Sequence, residues 1–195
     1  SHLHRRLGVL ADEVRIQVDG CGVCGSNLSL WRGQPWFHYP NEPGAPGHEG
    51  WGRVDQVGEQ VDSVRPGERV AFVSNRAYAE YDIARADSLV RVPASTEIFP
   101  GEALGCAMNI FQRCGIEPEQ TVAVVGIGFL GALLIQLAVA AGAQVLAISR
   151  RPFALQVARR YGAAEAVASS DSTAVIARIM ERTDGSGCPR VIEAA

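Results

Sequence analysis

The chain has 195 residues, a formal net charge of −3, 47% hydrophobic and 20% charged residues, a composition that excludes disordered, collagen-like and coiled-coil proteins. All 18 basic residues are arginines, and the absence of lysine excludes phosphate-loop NTPases, lysine-dependent kinases and Schiff-base enzymes. Because no basic cluster is longer than a pair, the expected partner is a small molecule rather than nucleic acid or a membrane surface.

The first half of the sequence predicts a small, mostly antiparallel β domain. Short segments with β-branched or alternating patterns are separated by Gly- and Pro-rich turns at 40–47 and 65–68. The predicted strands are 13–18, 52–57, 69–73, 78–83 and 89–92.

The second half predicts helices alternating with strands, the pattern of βαβ units and a parallel sheet. The predicted helices are 97–114, 129–141, 153–161 and 173–182, and the predicted strands are 121–125, 145–148, 166–168 and 191–194. On the last helix, Val175, Ile176 and Ile179 are expected on the face that covers the sheet. The charge-free run 121–149 is long enough to span a bilayer, but its glycines favour a strand, a turn, a helix and a second strand.

These elements predict an α/β fold with a β domain at residues 1–115 and a partial doubly wound parallel sheet at 116–195. The sequence stops in a predicted strand and is expected to be a fragment. The sequence has an odd number of cysteines, five, and no signal peptide at its start. We therefore expect free thiols in a cytoplasmic protein. The full-length form is expected to be a homo-oligomer.

A glycine motif lies where the first strand of the parallel sheet meets a helix. Gly126, Gly128 and Gly131 form GxGxxG, with Phe129 and Leu130 inside it. The first glycine permits the turn, the second lets the backbone approach a pyrophosphate, and the third lets the helix pack on the strand. We therefore predict a dinucleotide site, with a purely structural turn as the alternative.

The end of the next strand bears on which dinucleotide binds. Ser149, Arg150 and Arg151 stand where an NAD site usually has a carboxylate. Two guanidinium groups suit a 2′-phosphate, so NADP is predicted and NAD is the alternative. The alternative is that the two arginines do not bind a phosphate and are a solvated basic pair at the start of a helix.

Two segments of the β half carry metal-ligand chemistry. CGVCGSN contains Cys24, and GHEG contains His48. Thiolate and imidazole are good zinc ligands, and a catalytic site needs a third ligand. Glu102 and Cys106 both qualify by their chemistry, and because they share a helix face their spacing does not decide between them. The pair Cys21 and Cys24 also forms CxxC, and a redox site is the alternative.

With GVCGSN, PGHEG, VGEQVDSVRPGERVA and TVAVVGIGFLG in order, the sequence resembles the zinc-dependent medium-chain alcohol dehydrogenases, in particular their polyol and threonine dehydrogenase branch. The resemblance implies a GroES-like catalytic domain, a Rossmann domain and one catalytic zinc. By this resemblance Cys24 and His48 are zinc ligands, and Glu49 ligates the zinc or displaces its solvent. Glu102 is the preferred third ligand, because Cys106 lies too close to the glycine motif. Ser26 would contact the substrate oxygen and relay its proton.

Three departures from the family pattern affect the predicted site. Asn27 replaces the usual Asp beside the histidine ligand, and Ser29 replaces a relay histidine. The four-cysteine lobe that would hold a structural zinc is missing after Val73.

The expected function is hydride transfer between an alcohol or polyol, or its carbonyl, and a nicotinamide cofactor. The alternatives are a zinc-independent quinone or enone reductase and a non-catalytic nucleotide-binding protein.

Overall fold

Residues 8–95, 97–168 and 171–195 are described by a computed structural model of the protein. The chain divides into two units, of which the first ends at Ala103 and the second comprises Leu104–Ala195. The domain boundary near residue 115 stays a prediction.

The first unit contains an antiparallel sheet with the strand order β4-β1-β2-β3-β5. Buried side chains alternate along β1, and Val14, Ile16, Val70 and Phe72 form the centre of its core. The predicted antiparallel β domain is thereby confirmed. Its strands are β1 (Glu13–Gly22), β2 (Glu49–Val57), β3 (Arg69–Phe72), β4 (Tyr81–Arg85) and β5 (Leu89–Arg91).

A short helix, α1 (Asn27–Trp31), follows β1 in the first unit. The sequence did not predict α1, because five residues are too few to show a helical period. The structure also moves the predicted strand 78–83 toward the carboxyl end, since β4 covers Tyr81–Arg85.

The second unit contains a parallel sheet with the strand order β8-β7-β6-β9. Its central strands are buried, and Val122, Val124 and Val145 are fully covered. The predicted parallel sheet is confirmed. The strands are β6 (Thr121–Val125), β7 (Gln144–Ser149), β8 (Glu165–Ala168) and β9 (Arg190–Glu193), and the helices are α3 (Phe129–Ala140), α4 (Pro152–Arg160) and α5 (Ser172–Arg182). Helix α2 (Gly101–Cys114) begins in the last residues of the first unit and continues into the second.

The order of these strands defines where a ligand is expected to bind. From β6 the chain proceeds to β7 and β8, and it then returns to place β9 on the other side of β6. Ligands of open α/β sheets bind beyond the carboxyl ends of the strands where the order reverses. The carboxyl end of β6, where the glycine motif begins, lies at such a point.

The structure corrects two details of the predicted helices. Helix α2 begins at Gly101 rather than at residue 97, because Pro100 disfavours helical backbone at the residue before it. On α5, Val175 is buried and Ile179 packs beside it, but Ile176 is 60% exposed. Ile176 follows Val175 directly and therefore lies about 100° away around the helix axis.

The charge-free run 121–149 forms β6, the glycine turn, α3 and β7, as predicted. Among the described residues, no helix combines the length and the apolar character needed to cross a membrane.

Candidate metal centre and nucleotide-binding turn

Three side chains with metal-ligating atoms lie together in the first unit. The ligand atoms of Cys24, His48 and Glu49 are all within 4.8 Å of one another. The pairing of β1 with β2 accounts for this proximity, because Gly22 lies opposite Glu49 in the ladder. Cys24 follows the end of β1, and His48 precedes the start of β2. The two predicted segments therefore meet at one end of the sheet.

One nitrogen of the His48 ring is already engaged. His48 Nδ1 lies 2.9 Å from the carbonyl oxygen of Pro46. A carbonyl oxygen only accepts hydrogen bonds, so Nδ1 carries a proton, and in the neutral form of the imidazole Nε2 is the nitrogen that can bind a metal. The sequence pointed to Asn27 as the partner of the histidine, and the structure gives that role to the backbone of Pro46.

Cys24 and His48 shift each other toward ionisation. Burial opposes ionisation of Cys24, but hydrogen bonds with Ser26 and with His48 hold the pKa of the thiol below its ordinary value. Burial also disfavours the charged form of His48, yet the hydrogen bonds with Pro46 and Cys24 raise its pKa. The thiolate is the form of cysteine that binds metal.

The third member of the cluster is a buried carboxylate. Glu49 is only 8% exposed, and its carboxylate occupies the space in which a side chain at Gly22 would stand. A charged carboxylate is costly to bury unless a cation or hydrogen-bond donors compensate for it. Thiolate, imidazole and carboxylate together form a donor set that fits zinc.

A hydrogen-bond chain that sequence reasoning missed supports the loop after Cys24. The Asn27 amide nitrogen donates to the Tyr78 hydroxyl at 2.7 Å, and Tyr78 donates to the Gly22 carbonyl at 3.1 Å. Ser26 Oγ donates to Asn27 Oδ1 at 3.3 Å. Asn27 is buried, so its polar groups need such partners. No sequence signal could pair residues that are 51 positions apart.

The two candidates for a further ligand lie on α2. The charge of Glu102 contributes to the raised pKa of His48, although Glu102 is not one of the three clustered residues. Cys106 is exposed and belongs to the second unit. The choice between them stays a prediction.

An apolar cavity of about 620 Å³ lies on the first unit beside the Asn27 and Tyr78 pair. Trp31 lines it, whereas Trp36 and Phe37 pack against each other with ring centroids 6.2 Å apart. The residues that line the cavity are Val23, Asn27, Leu28, Leu30, Trp31, Tyr39, Asn41, Ala45, Pro46 and Tyr78.

In the second unit, each glycine of the motif has a distinct environment. Gly126 has φ +88°, and a Cβ on it would lie 2.6 Å from the backbone nitrogen of Ala195. A Cβ on Gly131 would overlap the Gly126 carbonyl, but a Cβ on Gly128 would meet open space. Gly126 and Gly131 are therefore needed for close backbone packing, whereas Gly128 lies beside open space that a ligand could occupy. Between them, Phe129 is exposed and Leu130 packs on the core.

The two arginines at the end of β7 differ in their contacts. Arg151 Nη2 donates to the Ile127 carbonyl at 2.8 Å, and the Arg151 amide donates to Ser149 Oγ at 3.3 Å. Ser149 is buried and Arg150 is exposed. Both arginines are exposed, and it is Arg151 that is tied to the glycine turn.

A β unit with a thiol, imidazole and carboxylate cluster, followed by a parallel-sheet unit with a glycine turn at its switch point, defines a metal- and dinucleotide-binding class of protein. The chain belongs to the alcohol dehydrogenase GroES-like domain family, which it matches over residues 10–148. It also matches the family described as zinc-binding dehydrogenase over residues 130–195. The predicted resemblance to zinc-dependent alcohol dehydrogenases is confirmed.

Curated relatives include an alcohol dehydrogenase of Geobacillus stearothermophilus, 29% identical over 77% of this chain and 54% of its own length. Galactitol 1-phosphate 5-dehydrogenase of Escherichia coli is 29% identical over 84% of this chain and 56% of its own length. The chain thus spans about half the length of the curated relatives it matches.

Two solved structures resemble the chain closely. A zinc-binding dehydrogenase of Sinorhizobium meliloti, bound to NADP, is 25% identical with a TM-score of 0.83, covering 97% of this chain and 64% of that one. A quinone oxidoreductase of Pseudomonas syringae is 26% identical with a TM-score of 0.83, covering 95% of this chain and 58% of that one.

Proposed function

We propose that this protein transfers a hydride between an alcohol or polyol, or the corresponding carbonyl compound, and a nicotinamide cofactor. The observation that carries the proposal is the cluster of Cys24, His48 and Glu49, whose ligand atoms lie within 4.8 Å of one another. Membership of the family and the glycine turn support it. In the oxidative direction the carbinol carbon gives a hydride to the nicotinamide ring, and its hydroxyl releases a proton.

We propose Cys24, His48 and Glu49 as metal-binding residues, with Glu102 as the preferred additional ligand. A bound zinc ion would supply Lewis acidity that favours loss of the hydroxyl proton. The Pro46 carbonyl engages Nδ1 of His48, which leaves Nε2 of the neutral ring as the nitrogen that would bind the metal. The buried carboxylate of Glu49 supplies negative charge that a cation would balance.

Ser26 is the proposed contact for the substrate oxygen. Its hydroxyl donates to Asn27 Oδ1, which leaves lone pairs on Ser26 Oγ to accept a hydrogen bond from a substrate hydroxyl. Because Asn27 is an amide that donates to Tyr78, it cannot take a proton onward. The proton therefore leaves Ser26 by a route other than Asn27.

For the cofactor we propose NADP. The end of β7 offers the exposed guanidinium of Arg150 where an NAD site would present a carboxylate, and a 2′-phosphate would gain charge-assisted hydrogen bonds there. We expect NADP to bind about tenfold more tightly than NAD. The preference should weaken as salt rises, because the arginine is exposed.

The test is metal content and turnover of the full-length protein. We expect about one zinc per chain and oxidation of some member of a panel of alcohols and polyols, lost with a chelator and restored by zinc. Full zinc and activity in Glu102→Ala, combined with their loss in Cys106→Ala, would assign the additional ligand to Cys106. Metal-free protein that reduces quinones would overturn the proposal in favour of a zinc-independent reductase.

The cofactor preference has its own experiment, the double substitution Ser149→Asp with Arg150→Ala. The new carboxylate would accept hydrogen bonds from the ribose 2′-hydroxyl of NAD and repel a 2′-phosphate, so the preference should reverse. Equal or tighter binding of NAD by the unmodified protein would show that the arginines do not select the cofactor.

A further inference from the structure

The two adjacent arginines at the end of β7 have different environments, although the sequence gives no reason to distinguish them. Arg151 places its guanidinium 2.8 Å from the carbonyl oxygen of Ile127. Its own amide donates to Ser149 Oγ, so both its backbone and its side chain are held. Both arginines are exposed, but within the described residues no hydrogen bond is found for the side chain of Arg150.

The acceptor of Arg151 lies inside the glycine motif. Ile127 stands between Gly126 and Gly128, and its side chain is buried in the core of the second unit. The Gly126 amide donates to the Ile148 carbonyl at 2.9 Å. The turn is therefore joined to the end of β7 by two bonds, one from the backbone and one from Arg151.

The bond from Arg151 constrains more than one atom, because a peptide group is planar. The carbonyl of Ile127 and the N–H of Gly128 belong to the same trans peptide and point in opposite directions. Holding the carbonyl toward Arg151 therefore directs the Gly128 N–H away from it. Gly128 is the residue before α3, and the space beside its Cα is open.

We propose that Arg151 is a positioning residue for the dinucleotide, which orients the Gly128 N–H toward the pyrophosphate, and that Arg150 alone recognises the 2′-phosphate. This inference rests on the proposed function, since it assumes that a dinucleotide binds at the turn. Both cofactors contain a pyrophosphate, so Arg151 contributes equally to NAD and NADP. Arg150 contributes to NADP only.

The experiment compares Arg150→Met with Arg151→Met in the full-length protein. Both variants keep an unbranched apolar side chain and lose the guanidinium group, which makes them a matched pair. Dissociation constants are measured for NAD, NADP, ADP-ribose and 2′-AMP. ADP-ribose has the pyrophosphate without the 2′-phosphate, and 2′-AMP has the 2′-phosphate without the pyrophosphate.

For Arg151→Met we expect weaker binding of NAD, NADP and ADP-ribose by a common factor of about five to ten, with little change for 2′-AMP. For Arg150→Met we expect about tenfold weaker binding of NADP, weaker binding of 2′-AMP, and unchanged binding of NAD and ADP-ribose. Arg151→Lys keeps an N–H donor for the Ile127 carbonyl. It should therefore recover most of the affinity for NAD, NADP and ADP-ribose that Arg151→Met loses. This third variant tests the proposal even where Arg151→Met is poorly folded.

Selective loss of NADP and 2′-AMP in Arg151→Met would show that Arg151 is a phosphate ligand, and it would overturn the positioning role while leaving the proposed function in place. Unchanged affinity for all four compounds in that variant would also overturn it. If the unmodified protein binds neither dinucleotide, the proposed function fails together with the role of Arg151.

Discussion

The glycine turn of the second unit and the metal cluster of the first unit are assembled in different ways. The glycines of the turn lie in one continuous segment, Gly126 to Gly131, although the backbone of Ala194 and Ala195 also packs against Gly126. The cluster needs two segments that β pairing brings together, and its supporting hydrogen bonds come from Pro46 and Tyr78. The turn is therefore readable as a motif, whereas the partners of the metal ligands depend on how the strands pair.

The largest effect is expected from removing a clustered ligand. Cys24→Ser or His48→Ala should lower zinc occupancy and abolish alcohol oxidation in the full-length protein, because the loss of one proposed ligand leaves the donor set incomplete. Nucleotide affinity should stay largely intact, since the turn is built separately. Elemental analysis, turnover and a nucleotide titration measure the three properties.

Cys21→Ser is the matched control for the metal prediction. Burial raises the pKa of the Cys21 thiol, which disfavours the thiolate, so this variant should keep its zinc. Loss of zinc from Cys21→Ser as well would contradict a site centred on Cys24, His48 and Glu49.

The second prediction separates packing from binding within the glycine turn. Gly131→Ala should reduce the free energy of unfolding by about 1–3 kcal/mol, because its Cβ would overlap the Gly126 carbonyl. Gly128→Ala has open space and should leave the thermal midpoint nearly unchanged while weakening dinucleotide binding. Thermal unfolding and nucleotide titration of both variants make the comparison. Equal thermal midpoints for the two variants would be the contrary result.

The third prediction concerns the long-range support of the loop after Cys24. Tyr78→Phe removes the acceptor of the buried Asn27 amide and should cost about 1–2 kcal/mol of stability. Tyr161→Phe, which removes a hydroxyl from the second unit, is the control. Chemical denaturation measures both. A variant Tyr78→Phe as stable as the unmodified protein would show that the Asn27 amide is satisfied in another way.

The smallest effect is expected at an ion pair of the second unit. Arg178 donates to Glu165 at 2.5 and 2.8 Å, and these hydrogen bonds hold the pKa of Glu165 below its usual value. A depressed carboxyl pKa stabilises the fold above the unfolded-state pKa, near 4.3, and this stabilisation is lost as pH falls through the folded-state pKa.

Glu165→Gln should therefore lower the thermal midpoint slightly at pH 7, and the difference from the unmodified protein should shrink toward pH 3. The pair is partly exposed, which keeps the effect small. Glu181→Gln, which removes the more exposed partner of Arg178, should change the midpoint less. A difference that grows on acidification would contradict the sign of the pKa shift.

Local patterns in the sequence determined much of this protein. β-Branched alternation predicted the antiparallel strands, and alternating apolar strands and helices predicted the parallel sheet, because side-chain period follows backbone geometry. The segments containing Cys24 and His48 also carried enough chemistry to predict that they belong to one site. The roles of these residues in metal binding stay a proposal.

Only the tertiary structure decided which groups satisfy and orient these side chains. The Pro46 carbonyl holds His48, and Tyr78 holds Asn27. Of the two exposed arginines, Arg151 bonds to the glycine turn. Ile176 is exposed beside the buried Val175. Hydrogen-bond partners and burial depend on strand register and on the direction of individual bonds, and neither property has a local signal in the sequence.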